Sequence, residues 1–407
     1  MSRGPDAKPD DAKLFATRLS LFYAALFVGF GLYQPFFPVW LKAKGLSDAE
    51  VGTVLACGML IRMVATPTVT FLADRSGVLS LALVICASAT MVAFLGIGMA
   101  EGFVMILVGV LITSFVWSPM VPLADAYGLA GVARRALDYG RIRVWGSVAF
   151  MVANIAGGLA LVIIRPDQIV WMIWLSLVPL TIASLMLVRD QKEVQSGPRG
   201  PSFFNLRFVL VMVAVAFLQA SHAVYYGFAS IHWKQIGYSG FVVGVLWAVA
   251  VLAEIVMFWV ATRFARDWRP TTYLLIGGAG GFLRWALMAF DPPLVVLAPL
   301  QALHAAGFGL VHLGTMAYLA ARLPAHARAS GQGTVSVAIG ATMAMATLMA
   351  GWLYARAGAH AYLAMAALCL VGLAVAAFAR SLPIERPGIP AAGSGQEPQP
   401  QSEGAGG

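Results

Sequence analysis

The sequence predicts an all-α membrane protein with twelve transmembrane helices in two pseudo-symmetric six-helix halves. Three observations predict it. The 407 residues are 60% hydrophobic and 11% charged, with a mean hydropathy of +0.81, a balance unlike that of a soluble domain. The apolar residues come in blocks of roughly 20, the length a helix needs to cross hydrocarbon. A polar stretch rich in Gly, Pro and charge, Arg189 to Ser202, divides those blocks six and six.

Taken in order, residues 1–17 are polar and are expected to form a disordered cytoplasmic tail. The N-terminal half, 18–188, holds spans at 18–41, 48–72, 77–99, 101–124, 139–164 and 168–188. The first run, starting near Arg18, is long enough to span and lacks a small-residue cleavage pattern, so it reads as a retained helix. A cytoplasmic linker, 189–204, follows. The C-terminal half, 205–380, has spans at 205–230, 239–262, 271–290, 293–318, 328–354 and 359–380. The tail, 381–407, is Gly/Pro/Gln/Ser-rich from Pro387 and is expected to be disordered. Forty-two glycines suit helices that approach closely in a membrane.

The net charge of +9 reports topology, not a nucleic-acid partner. With both termini cytoplasmic, twenty Lys and Arg fall on the cytoplasmic side and five in outer loops, while Arg62 and Arg284 stay inside spans. That bias is the positive-inside rule. Cys57, Cys86 and Cys369 sit in apolar spans without metal-ligand spacing and read as packing residues.

Ionisable groups at membrane depth mark solute or ion paths, or static ion pairs that fix packing. Arg62 lies near the middle of span 2, Glu254 within span 8, Arg284 within span 9, and His304 and His312 within span 10. Asp125 closes span 4, and Arg141 and Arg143 stand at the mouth of span 5. On a regular α-helix Gln301, His304, Phe308 and His312 fall within roughly an 80° arc. In span 1, Tyr23, Phe27, Phe30 and Gln34 form a stripe that suits either the wall of a cavity for a ring-bearing solute or a core or lipid face; Pro35 and Pro38 follow and can bend the helix.

The loop Thr70-Phe-Leu-Ala-Asp-Arg-Ser-Gly77 resembles the Gly-x-x-x-Asp-Arg-x-Gly-Arg signature of the major facilitator superfamily. Asp74, Arg75 and Gly77 are in place; Thr70 and Val78 depart from it. Val260 to Arg266 occupies the matching place in the second half. With the six-plus-six layout, this resemblance implies the major facilitator fold, with Asp74, Arg75, Gly77 and Arg141 as a cytoplasmic gate; a plain connector is the alternative. Leu218 to Tyr238, Gly244-Val-Leu-Trp-Ala ahead of Glu254, Asp138 to Ser147 and Pro35 to Leu41 resemble the 3-phenylpropionic acid transporter family over about residues 18–380. Gly140-Arg-x-Arg143 followed by Gly146 more distantly resembles lactose permease and its oligosaccharide:proton symporter relatives. The chain departs from that permease at Gly307, where its glutamate stands, and lacks its Asp–Lys pairs.

These resemblances imply a secondary transporter, with proton-coupled import of a small aromatic carboxylate by alternating access. Arg143, Asp125, Arg62, His304 and Gln34 are the implied solute contacts; Glu254, Arg284 and His304 are the implied proton-coupling groups. Arg143 offers a carboxylate a planar two-point contact that Lys cannot reproduce. Sugar or nucleoside symport and drug efflux remain alternatives. A membrane-embedded enzyme is disfavoured, because histidines and carboxylates are scattered along helices without a metal cluster or a large soluble loop. No cofactor beyond a proton gradient is expected. The expected partners are an organic anion, protons and lipid, for a monomer in a bacterial inner membrane.

Overall fold

The computed structural model describes residues 9–187, 205–265, 268–323 and 328–382. The linker, most of the C-terminal tail, residues 1–8 and Arg266 lie outside these segments. The first half contains α1 (Pro9–Ala43), α2 (Asp48–Ser76), α3 (Leu79–Met99), α4 (Gly102–Trp117), α5 (Met120–Arg135), α6 (Tyr139–Ala160) and α7 (Ile169–Leu185). The second contains α8 (Leu206–Ala220), α9 (Ala223–Gln235), α10 (Gly240–Phe264), α11 (Pro270–Met288), α12 (Leu294–Ala302), α13 (Val311–Arg322), α14 (Arg328–Ala357) and α15 (Tyr362–Ser381).

Among the described residues, ten segments are long and apolar enough to cross a membrane. One of them, Gly331–Ser381, contains both α14 and α15 and turns at Gly358, whose φ is +53°. The glycine-rich α11, which carries Arg284, is not among the ten. The expected twelve spans therefore require both the division at Gly358 and the inclusion of α11.

Local sequence sets the helix starts. Ser47 and Glu50 form a reciprocal capping box on α2: Ser47 N–H donates to Glu50 Oε2 at 2.8 Å, and Glu50 N–H to Ser47 Oγ at 3.3 Å. Asp138 caps α6 by accepting from Gly140 N–H at 2.8 Å. Contrary to the disordered tail expected over 1–17, α1 begins at Pro9. Asp10 and Asp11 favour its positive N-terminal end, and Asp11 Oδ2 pairs with Arg135 Nε at 2.8 Å. The helix also runs unbroken through Pro35 and Pro38.

Three rods are interrupted: α4–α5 at Ser118–Pro119, α8–α9 at Ser221–His222, and α12–α13 at Leu303 and a π-helical turn, Ala305–Leu310. Backbone freed in this way is tolerated in a membrane only where protein or a cavity receives it. The π turn also alters the expected stripe in span 10. Its wider turn rotates later residues by roughly 100° relative to a regular helix, leaving His304 buried and His312 exposed.

The halves meet along α2 against α14 and α6 against α10. Glycine makes both contacts possible. A Cβ on Gly52 would lie 2.8 Å from Gly351 Cα, and one on Gly158 would collide with the Gly240 carbonyl. Gly52 and Gly240 begin their helices, whereas Gly158 and Gly351 end theirs, so alternating connectivity puts both contacts at the same end of the bundle. At that end His232 Nε2 meets Asp291 Oδ1 at 2.6 Å, and its Nδ1 meets the Tyr354 hydroxyl at 3.0 Å. Large apolar side chains such as Val92, Val104 and Leu175 remain on the outside, as a bilayer solvent permits.

Candidate functional site

A cavity of about 1010 Å³ lies between the halves, at the upper end of the range for small-molecule sites. It is lined from mid-helix toward the end where α2 stops and α14 begins. Met59, Arg62, Met63, Thr66 and Pro67 contribute one face of α2 at i, i+3, i+4, i+7 and i+8. Phe27, Phe30 and Gln34 from the α1 stripe also line it, while Tyr23, the first residue of that stripe, is buried in the core. Tyr225, Tyr226 and Trp247 supply an aromatic face from the second half.

The first half carries a cation held beside a shielded acid. Asp125 on α5 accepts from the Tyr23 and Tyr139 hydroxyls, each at 2.7 Å. Arg143 Nε lies 3.7 Å from the same Oδ1, and its guanidinium sits over the Phe27 and Tyr23 rings at 4.2 and 5.0 Å. Gly146 makes room: a Cβ there would lie 2.8 Å from Arg143 Nη1. This explains a glycine one helical turn after the arginine. The tyrosines already use part of Asp125's accepting capacity, and the pair is partly exposed, so Arg143 can exchange Asp125 for another acceptor.

The second half carries a buried polar cluster. Arg284 is fully buried and lies over Tyr225 and Trp285 at 4.3 and 4.4 Å. Its Nη2 donates to Gln301 Oε1 at 2.6 Å, and its Nη1 meets His304 Nδ1 at 3.2 Å. Arginine only donates, which assigns Nδ1 as the acceptor and the neutral ring's proton to Nε2. That Nε2 lies 3.7 Å from Glu254 Oε2. His304 thus stands between Arg284 and Glu254. Both His304 and Glu254 line the cavity.

His222 joins this group at the break between α8 and α9. Its ring lies 5.4 Å from that of His304, and its buried Nε2 has no hydrogen-bond partner. Gly307 lies beside it, where a Cβ would be 3.5 Å from that nitrogen. These neighbours come from distant helices, so the chain's order does not show the juxtaposition.

The expected gate residues lie apart from the cavity wall. Gly77 ends α2 with φ +70°, and its N–H donates to the Asp74 carbonyl at 3.3 Å. Arg75 is exposed, and Arg141 lies 3.5 Å from Asp138 with a largely exposed side chain.

Two helical halves, joined at one end and enclosing a cavity with ionisable groups near its middle, define a secondary transporter of the major facilitator type. Residues 16–364 match the model of the MFS_1 like family, and the chain belongs to that family. Over 367 residues it is 32% identical to the "Probable 3-phenylpropionic acid transporter" of Escherichia coli (strain K12), covering 86% of this chain and 94% of that protein. The crystal structure of nucleoside transporter NupG is similar in fold, with a TM-score of 0.78 at 14% identity, covering 91% and 100% of the two chains. A bacterial homologue of the human lysosomal transporter Spinster, in an inward-facing and unoccupied conformation, gives a TM-score of 0.69 at 14% identity, covering 92% and 98%. The chain is accordingly a multi-pass membrane carrier of small solutes and not an enzyme.

Proposed function

We propose that the protein imports a small aromatic carboxylate such as 3-phenylpropionate, coupled to protons, by alternating access. The observation carrying this reading is the cavity wall itself: arginines from the first half face an ionisable Glu254–His304 pair from the second, with aromatic rings on both sides. The name of the 32% identical relative supports the substrate class. Arg143 and Arg62 offer cationic contacts, with Asp125 positioning Arg143 when no solute is bound. Gln34 and His304 offer polar contacts from the cavity wall.

Glu254 is the proposed proton carrier. His304 relays its proton, and Arg284 sets the electrostatic bias through the ring between them. Positive-inside topology assigns the glycine-closed end to the outside, so both termini are cytoplasmic and the conformation is inward-facing. Asp74, Arg75, Gly77 and Arg141 then stand at the cytoplasmic end, where they act as a gate. A monomer in a bacterial inner membrane suffices, since each half supplies the other's interface.

The experiment is uptake of labelled 3-phenylpropionate by expressing cells, with and without an uncoupler. Uncoupler-sensitive accumulation is expected. Verified expression without uptake refutes this substrate and directs the search to sugars, nucleosides or efflux cargo.

A further inference from the structure

A side pocket of about 70 Å³ opens between α1, α2 and α4. Phe30, Gln34 and Arg62 line both it and the main cavity, so the two spaces share a wall. At ~10–15 Å³ per water-sized group, it has room for roughly five such groups. That volume suits a compact polar head and leaves the body of a larger solute in the main cavity.

The pocket is rich in hydrogen-bond donors. Arg62 is exposed toward the cavity and has no hydrogen bond or ion pair among the described residues. Arg143, by contrast, has Asp125, and Arg284 has Gln301 and His304. Thr113 Oγ1 and Trp117 Nε1 are buried without a hydrogen-bond partner, although both side chains line the pocket. Other helical threonines satisfy themselves locally: Thr90, Thr181 and Thr315 donate to the carbonyl four residues back at 2.7, 2.9 and 2.7 Å. Thr113 does not.

Nor can Trp117 readily turn to find a partner. Its ring is stacked on Phe30 at 4.5 Å with an interplanar angle of 2°, and Tyr33 and Phe94 meet it edge-on at 5.2 and 5.3 Å. The indole N–H is therefore a fixed donor, and indole has no acceptor to offer. A buried donor without a partner costs free energy, and a guanidinium at membrane depth normally has a counter-charge. One group answers all three: a small anion.

We propose that Arg62, Gln34, Thr113 and Trp117 form an anion subsite, separate from the Arg143–Asp125 pair, that receives the carboxylate of the transported solute. The identity of its occupant rests on the organic-anion reading above; the donor-rich pocket does not. Gln34 turns its amide N–H toward the anion, and Phe30 forms the boundary between the subsite and the cavity that holds the solute's apolar end.

The test is thermal stabilisation and binding on the purified full-length protein, using 3-phenylpropionate, benzoate, acetate and neutral 3-phenylpropionamide as probes. Carboxylates should raise the melting temperature where the amide does not. Arg62→Gln, Trp117→Phe and Thr113→Val should each weaken carboxylate binding, by about tenfold or more for Arg62→Gln, and shrink the carboxylate-induced rise in melting temperature. Arg62→Lys keeps the charge but not the planar fork and should recover only part of the loss, which guards against misfolding of the glutamine variant. Wild-type carboxylate affinity in Arg62→Gln, Trp117→Phe and Thr113→Val would overturn the subsite, whatever Arg143→Gln does. Failure of every carboxylate to bind the wild-type protein would overturn it too. Acetate or benzoate binding that depends on Arg62, with no effect of 3-phenylpropionate, would uphold the subsite and remove the proposed substrate.

Discussion

His304 Nε2 lies 3.7 Å from Glu254 Oε2, while the opposite nitrogen of the same ring meets Arg284 at 3.2 Å. One imidazole therefore links the cavity carboxylate to a fully buried cation. Glu254→Gln keeps shape and hydrogen bonding but cannot ionise. It should abolish uncoupler-sensitive accumulation while leaving solute exchange across the membrane. Accumulation at the wild-type level in this variant would remove Glu254 from proton coupling.

Arg284 bonds Gln301 and His304 with two different nitrogens and covers two rings. Lysine cannot make that planar fork. Arg284→Lys should lower the melting temperature and reduce transport at least about tenfold, because the bond that orients His304 is lost. Unchanged transport kinetics would show that His304 needs no such orientation.

Asp125→Asn keeps an oxygen for the Tyr23 and Tyr139 hydroxyls but removes the charge beside Arg143. The cavity that draws in the anion then carries one negative charge fewer. Carboxylate binding should tighten roughly fivefold, on the order of 1 kcal/mol, while turnover slows. Weaker binding would mean that Asp125 contacts the solute favourably.

The glycine contact between α2 and α14 closes one end of the cavity. Gly52→Leu overpacks it, at a cost of about 1–3 kcal/mol, and should shift the equilibrium toward the form open at that end by roughly 5- to 150-fold. Distances between spin labels on the loops of this end should lengthen. An unchanged distribution would show that this contact does not bias the states.

Gly77 ends α2 in the left-handed region, at φ +70°. Gly77→Ala should destabilise the turn by about 1 kcal/mol, and Gly77→Asn by less. Equal thermal stability in both variants would show that the turn relaxes.

Several site residues were legible in the sequence because a membrane makes charge conspicuous. Arg62, Glu254, Arg284 and His304 stand out against apolar surroundings, and the structure places all four in or behind the cavity wall. The stripe ending at Gln34 was legible as a geometric face, since α1 is a regular helix. The stripe through His312 was not, because a π turn changes the register without a sequence signature strong enough to predict it. Thr113 and Trp117 escaped notice for a different reason: an unsatisfied donor is a property of its surroundings, not of the residue.

The sequence by itself determined the solvent the helices face, the division into two halves and the depth of most charges. Those follow from hydropathy and spacing along one chain. Tertiary structure decided which groups meet: His304 between Arg284 and Glu254, Arg143 beside Asp125, and Arg62 opening on a pocket of unused donors. It also decided that, among the described residues, glycines bring the two halves into backbone contact at one end of the bundle. Such contacts join residues on different helices, often tens to hundreds of positions apart, and their distances follow from packing between helices rather than from the period within one.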